Sequence, residues 1–273
     1  MRILIRTSKT ARWARRIGNL ALPLTVLPVF MHRLRLVDSG TFHLIEITAL
    51  VAALAGLVVS VAAFTRLWHT GDRGWSKAIT GFVVSLICIA PFLYGANLAR
   101  RSPAANDITT DSATPLPLSS AIAPPVLSDE AAEELSAAFP NVRARRYPLD
   151  AVRTFALLEQ QALARGWEIG VRTGPASETG TGLLDAVVTT LLGWRDEVAL
   201  RVQGDEQGSI VDMRSASLFR GETDLGANGE RIEEFLTGLD TAVQLLLRDS
   251  PSTPAAEPEA EEAPAPGAGG GEG

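Results

Sequence analysis

TFHLIEITALVAALAGLVVSVAAF, residues 41–64, runs 24 residues with a single carboxylate, Glu46, near its start. A helix of that length rises about 36 Å, enough to cross a ~30 Å hydrocarbon core. His43 and Glu46 lie within the first two turns, where they can reach an interface. A second apolar run, 78–99, is interrupted only by Pro91. Trp68 and Trp75 lie between the two runs and Tyr94 near the far end of the second, as in an aromatic belt. A buried soluble helical hairpin is the alternative reading of these two runs.

Working toward the N-terminus, residues 17–31 are apolar but contain Pro23 and Pro28. They follow Arg12, Arg15 and Arg16, which resemble the charged start of a signal peptide. His32, Arg33, Leu34 and Arg35 come next, where a cleavage site would need small residues. The expectation is an uncleaved third span, with an interfacial segment as the alternative. Three spans put the N-terminus and the loop with Arg66, Arg73 and Lys77 in the cytoplasm and the rest of the chain outside. Two spans leave the rest cytoplasmic. Three are preferred, so the expected protein is a multi-pass inner-membrane protein with a periplasmic soluble domain.

Charge divides the chain in the same way. Residues 1–103 hold 13 Lys and Arg against 3 Asp and Glu; the remainder holds 12 against 28. The basic residues flank apolar runs, so the bilayer is the expected partner. The acidic part argues against nucleic acid, whose phosphates need a basic surface. From residue 104 onward there is no His, Cys or Lys. That composition excludes zinc or copper sites built on Cys or His, a Ser-His-Asp triad, a Cys nucleophile and a Schiff-base lysine in this part. Cys88 lies alone in an apolar run, where packing is its expected role.

Beyond the membrane region, 1–103, residues 104–128 are rich in Thr, Ser, Pro and Asp and read as an extended linker. Residues 129–249 read as a soluble domain. Helical patterns cover 129–139, 149–165 and 227–247, and strand patterns cover 167–173, 183–192, 196–203 and 209–219. Gly204 to Gly208 supplies a polar turn between the last two strands. The expected fold is therefore α+β: transmembrane helices, then a two-layer domain of antiparallel sheet plus helices. Residues 250–273, rich in Pro, Ala, Glu and Gly, read as a disordered acidic tail.

Several stretches carry a family resemblance. They are Asn106-Asp107-Ile108-Thr109-Thr110-Asp111, Gly193-Trp194-Arg195-Asp196-Glu197-Val198 and Val211-Asp212-Met213-Arg214-Ser215-Ala216-Ser217. Thr223-Asp224-Leu225-Gly226-Ala227-Asn228 and then Arg231-Ile232 complete the set. Their order and spacing resemble the domain of unknown function 1499 family, over about 106–247. The membrane region is similar to N-terminal regions of bacterial members. Where that family tends to carry an Arg-Val-Gly-like turn, this chain has Leu218-Phe219-Arg220-Gly221. The resemblance implies a fold and no activity.

The candidate site is Arg214, Ser215, Ser217, Asp224, Gly226, Asn228 and Arg231. A strand delivers the first three and a Gly-containing turn opens a helix carrying the others. Free amides at a helix start together with two arginines suit an anion or a partner protein. The structural alternative has Asp224 or Thr223 capping the helix and the arginines pairing with Asp212, Asp196 or Glu197. Strand alternation also sets Arg214 and Asp212 on one face and Ser215 and Ser217 on the other. Asp107 and Asp111 lack calcium-loop spacing, and Asp196-Glu197 point to opposite faces of a strand. No catalytic residue, metal ligand or cofactor is assigned. The expected function is a membrane-anchored binding or interaction domain, for envelope proteins or a small anionic ligand. An envelope hydrolase or transferase using Asp and Arg residues is one alternative. The other is a subunit of a membrane complex, packed through Gly56, Ser60, Gly81 and Ser85.

Overall fold

The computed structural model describes residues 6–219 and 223–249. The acidic tail, 250–273, and the Arg220-Gly221 turn lie outside the described residues. Three long helices come first: α1 (Lys9–Arg33), α2 (Ser39–Thr70) and α3 (Trp75–Arg101). Ser8 caps α1 and Asp38 caps α2, each side chain accepting an otherwise unpaired backbone N–H.

The three helices pack by small residues at heptad spacing. On α1 the buried positions are Ala11, Ala14, Gly18, Ala21, Thr25, Pro28 and His32, alternately three and four residues apart. On α3 they include Ala78, Gly81, Ser85 and Cys88. Such a seam keeps one face of each helix toward its partners. Where Gly18, Gly56 and Gly81 meet, backbones nearly touch; a Cβ on Gly81 would lie 2.6 Å from the Ala14 carbonyl oxygen. The large apolar side chains point the other way. Leu20, Leu27 and Phe30 of α1, Leu44, Ile47 and Val58 of α2, and Ile87 and Leu93 of α3 are all exposed. Small inside and large outside is the reverse of a water-soluble bundle. By length and composition, α2 and α3 are apolar enough to cross a membrane. Gly56, Ser60, Gly81 and Ser85, read above as contacts for other subunits, face inward and are engaged by this bundle.

The bundle runs up, down and up. At one end the N-terminal segment is clipped to the α2–α3 turn: Ser8 N–H donates to Arg73 O (2.9 Å) and Arg73 N–H to Arg6 O (3.0 Å). At the other end lie the C-terminus of α1, the start of α2 and the exit of α3.

From there the chain enters the α+β domain: β1 (Asp107–Thr109), α4 (Asp129–Ala138), β2 (Arg145–Tyr147), α5 (Ala151–Ala164), β3 (Glu168–Thr173), β4 (Thr181–Thr189), β5 (Arg195–Asp205), β6 (Gly208–Ser217) and α6 (Ala227–Asp249). The sheet is antiparallel, ordered β1-β6-β5-β4-β3, and β2 shares the outer edge of β6 with β1. Register places Val198 opposite Ser215, Leu200 opposite Met213 and Val202 opposite Val211. These side chains face α5 and α6 and form the core with Phe155, Leu158, Ile232, Phe235, Leu236 and Leu239. Trp167 stacks on Phe235 with ring centroids 4.9 Å apart. At Gly208 the backbone has φ 132°, and a Cβ would lie 2.1 Å from Tyr147 O. Only glycine lets β2 reach the sheet edge there.

Segment 104–128, read above as a linker, belongs to the domain. It is extended, but β1 pairs with β6, and residues beyond β1 cross the sheet face opposite α5 and α6. Leu116 and Leu118 bury themselves there on Ala199 and Ala216. The Glu197 carboxylate accepts the backbone N–H groups of Ser119 and Ser120. Prolines and polar residues predict a linker only when no apolar surface awaits them; here two leucines find one.

Leu116→Ala is expected to cost about 2–4 kcal/mol in denaturant unfolding of the full chain, the usual cost of a buried leucine. The same strap should be acid-sensitive. Hydrogen bonds from the Thr114 side chain and backbone hold the Asp111 carboxyl below its ordinary 3.8. A depressed folded value contributes stability at pH above the unfolded value, lost as pH falls through the folded one. Asp111→Asn should therefore be less stable than the parent at neutral pH. That difference should vanish as pH falls through the depressed folded value, in unfolding measured across pH.

Candidate functional site

Alternation along β6 divides the candidate residues between two faces of the sheet. Arg214 lies on the strap side and is fully buried. Its Nε–H donates to Asp107 Oδ1 (2.9 Å) and Nη2–H to Asp107 Oδ2 (2.6 Å), a bidentate pair. Nη1–H donates to Leu116 O (2.6 Å) and Nη2–H also to Ile122 O (3.1 Å). This guanidinium thus ties β6 to β1 and to both ends of the strap. Its charge and donors are engaged, so Arg214 does not join the anion site proposed for it. Its partner is Asp107 from the start of the domain, rather than Asp212, Asp196 or Glu197. Asp212 pairs with Arg201 instead (2.8 Å), and Arg201 also reaches Asp111 (3.2 Å).

The other six candidates do gather, on the helix face. Ser215 Oγ donates to Asn228 Oδ1 (2.6 Å), and Asn228 Nδ2–H donates to Ser217 Oγ (3.1 Å) and Asn106 O (3.1 Å). Arg231 Nη1–H donates to Ser215 Oγ (2.8 Å) and Asn228 Oδ1 (2.5 Å), while Nη2–H donates to Asp196 (2.5 Å). Asp224 caps α6, accepting from the backbone N–H of Gly226 (2.9 Å) and Asn228 (2.6 Å). Burial pushes its carboxyl above the usual range, opposed by those two N–H groups. The amides that would have met an anion meet Asp224, and the arginine meets Asp196. The cluster is closed upon itself and fastens the start of α6 to β5, β6 and the connecting segment.

A different set of groups is open. At the upper end of the bundle the turn between β4 and β5 presses against the end of α1. Arg33 Nη1–H donates to Thr190 O (2.7 Å), and His32 Nδ1 bonds Leu192 O (2.7 Å) while Nε2 bonds Ser39 Oγ (3.0 Å). The carbonyl partner fixes Nδ1 as the donor of the bond to Leu192. Gly193, φ 93°, lets this turn approach; a Cβ would lie 2.8 Å from the Arg33 backbone. Trp194 packs edge-on to His32 and Phe42, with ring centroids 5.3 Å away in each case. Phe219 stacks on His43 at 5.4 Å. Beside this aromatic cluster is a cleft of about 490 Å³ whose lining includes His32, Arg35, Asp38, Trp194, Arg195 and Phe219. On two of these lining residues, Trp194 Nε1 and Arg195 Nε are buried without a hydrogen-bond partner. Gly193-Trp194-Arg195 was legible only as a motif, because its importance depends on α1, more than 150 residues away. An aromatic and an arginine in a short turn between apolar strands was the available signal.

Among the described residues, no three His, Cys, Asp or Glu side chains converge in a metal-binding group. Asp107, Asp196 and Asp212 are each bound to an arginine.

Residues 107–239 match the model of a family described as Protein of unknown function (DUF1499). The match opens at β1 and ends within α6, so it includes the strap and the whole sheet. This part of the chain is similar to that family. No curated protein matches the chain.

Asp107→Ala leaves a buried guanidinium without its counter-charge and is expected to lower the unfolding free energy by about 3–5 kcal/mol. The double variant Asp107→Leu with Arg214→Met should recover much of that loss, because it removes both charges. Denaturant titration of the three proteins checks both statements.

Proposed function

We propose that this DUF1499-like protein is a three-span inner-membrane protein that holds its α+β domain, in one orientation, against the periplasmic surface as a binding or interaction module. The arrangement of the bundle's ends carries this reading. Because α1 lies along α2 and α3, its start shares one end with the α2–α3 turn, and its close shares the other end with the domain. The first end gathers Arg6, Lys9, Arg12, Arg15, Arg16, Arg66, Arg73 and Lys77; the second has Arg33, Arg35, Arg100 and Arg101. An eight-to-four excess favours the first end as cytoplasmic, by the tendency of basic loops to stay inside. Sequence alone left this count undecided, since a surface-lying α1 would have moved its arginines to the domain's side.

The large apolar side chains on the outer face of α1 support its being a third span, although α1 is the least apolar of the three helices. Its proline-containing stretch is short, and its first turns are arginine-rich with aliphatic stems that can reach an interface. The domain is docked by backbone and side-chain hydrogen bonds, not tethered by a loose connection. Only residues 102–106 separate α3 from β1, and Asp224 N–H donates to Ala105 O (3.1 Å). A module of this kind works on what reaches the membrane surface.

Compartment-sensitive reporters test the topology. Alkaline phosphatase fused after Arg248 is expected to be active, and inserted within 70–76 to be inactive. A fluorescent protein that matures only in the cytoplasm should give the reverse pattern. The opposite result at both positions would overturn the three-span reading.

A further inference from the structure

The cleft where the α1–α2 turn meets the β4–β5 turn holds donors that lack acceptors. We infer that it seats the phosphate group of a membrane glycerophospholipid, with Trp194 Nε1–H, the Arg195 guanidinium and the Arg35 guanidinium as donors. This rests on the reading of the bundle as membrane-spanning, because it needs the cleft at bilayer-surface depth.

Three observations converge on it. First, Trp194 Nε1 and Arg195 Nε are buried and unpartnered. Buried donors are almost always paired, and these two are not. Both atoms are closed to solvent as the side chains stand, so a phosphate oxygen reaches them once Trp194 and Arg195 turn toward the cleft they line. Second, the nearby positive charge is not fully neutralised. Arg35 and Arg195 share one carboxylate, Glu168, at 3.8 and 3.9 Å, and all three side chains are substantially exposed. Third, the surroundings are those of an acyl chain. Leu34, Leu36 and Leu191 stand exposed near the cleft, and the exposed apolar faces of α1 and α2 continue away from it.

The same cleft carries an acidic restraint. Asp38 lines it, although its carboxylate already accepts the Thr41 N–H (3.0 Å) and O–H (2.6 Å). With Glu168 nearby, a doubly charged free phosphate is disfavoured, and a singly charged phosphodiester fits better. Tryptophan and arginine together are a common pairing at the headgroup level, one amphipathic and the other a fork for phosphate oxygens.

The test uses the full chain purified in mild detergent and native mass spectrometry with four probes: dioleoyl phosphatidylethanolamine, dioleoyl phosphatidylglycerol, dioleoylglycerol and inorganic phosphate. The phospholipids are expected to bind, dioleoylglycerol to bind far more weakly, and inorganic phosphate not to displace them at equal concentration. Trp194→Phe keeps the ring packing and removes only the N–H; Arg35→Gln changes an exposed side chain. Each variant, and Arg195→Gln, should lower phospholipid affinity by about tenfold, as loss of a charge-assisted hydrogen bond does. Arg172→Gln, whose arginine pairs with Glu159 away from the cleft, should bind as the parent. Equal binding of dioleoylglycerol, displacement by inorganic phosphate, or parental affinity in all three cleft variants would overturn the proposal. The reporter fusions fail separately. A cytoplasmic domain with intact, variant-sensitive phospholipid binding sinks the topology and keeps the site; the converse sinks the site alone.

Discussion

A fully buried guanidinium is a demand on everything around it, and the Arg214 charge sets the plan of the α+β domain. It sits mid-strand on the face away from the helices, where water cannot solvate it. Asp107 meets the charge, and the carbonyl groups of Leu116 and Ile122 take remaining donors. Those three partners come from one stretch of chain, so the compensation of one side chain recruits β1 and the strap together. Leu116 and Leu118 then cover the sheet face that would otherwise expose Ala199 and Ala216. The pair's contribution to net stability is modest compared with apolar packing, but its removal on one side alone is costly, which gives it control over register.

The helical bundle follows a second constraint, that of backbones in near contact. Gly18, Gly56 and Gly81 admit no side chain at their crossing. Close approach fixes how far each helix slides along its neighbours, and so sets α1 level with α2 and α3. The alignment brings His32 and Arg33 to the β4–β5 turn, where Gly193 again permits contact only because it lacks a Cβ. Packing deep in the bundle therefore decides the attitude of the domain at its end.

The two polar clusters of the domain differ in one physical respect. Around Asn228 each donor has an acceptor within the cluster, and Asp224 occupies the amides at the start of α6. Such closure makes the cluster a fastening. Around Trp194 and Arg195, donors are buried and left over. An unsatisfied buried group is tolerated where something else completes it, which favours the junction over the last strand as a place for a ligand.

Sequence by itself determined the two most apolar helices, the seven helix and strand patterns of the domain, the alternation that parts Arg214 from Ser215, and the resemblance to one family. These follow from local periodicity and composition, which short stretches carry intact. Tertiary structure decided the rest. Strands β1 and β2 are three residues each, too short for a period of two to register, and they exist because the edge of β6 has free backbone groups. The strap was hidden in a Pro- and Ser-rich stretch because the apolar face that receives it comes from residues some eighty positions later. Whether Arg214 and Arg231 were free or paired depended on carboxylates at 107 and 196, at separations no local pattern encodes. The junction cleft is the extreme case: it joins residues near 35 to residues near 195, and proximity across that distance is created only when the helices and the sheet pack.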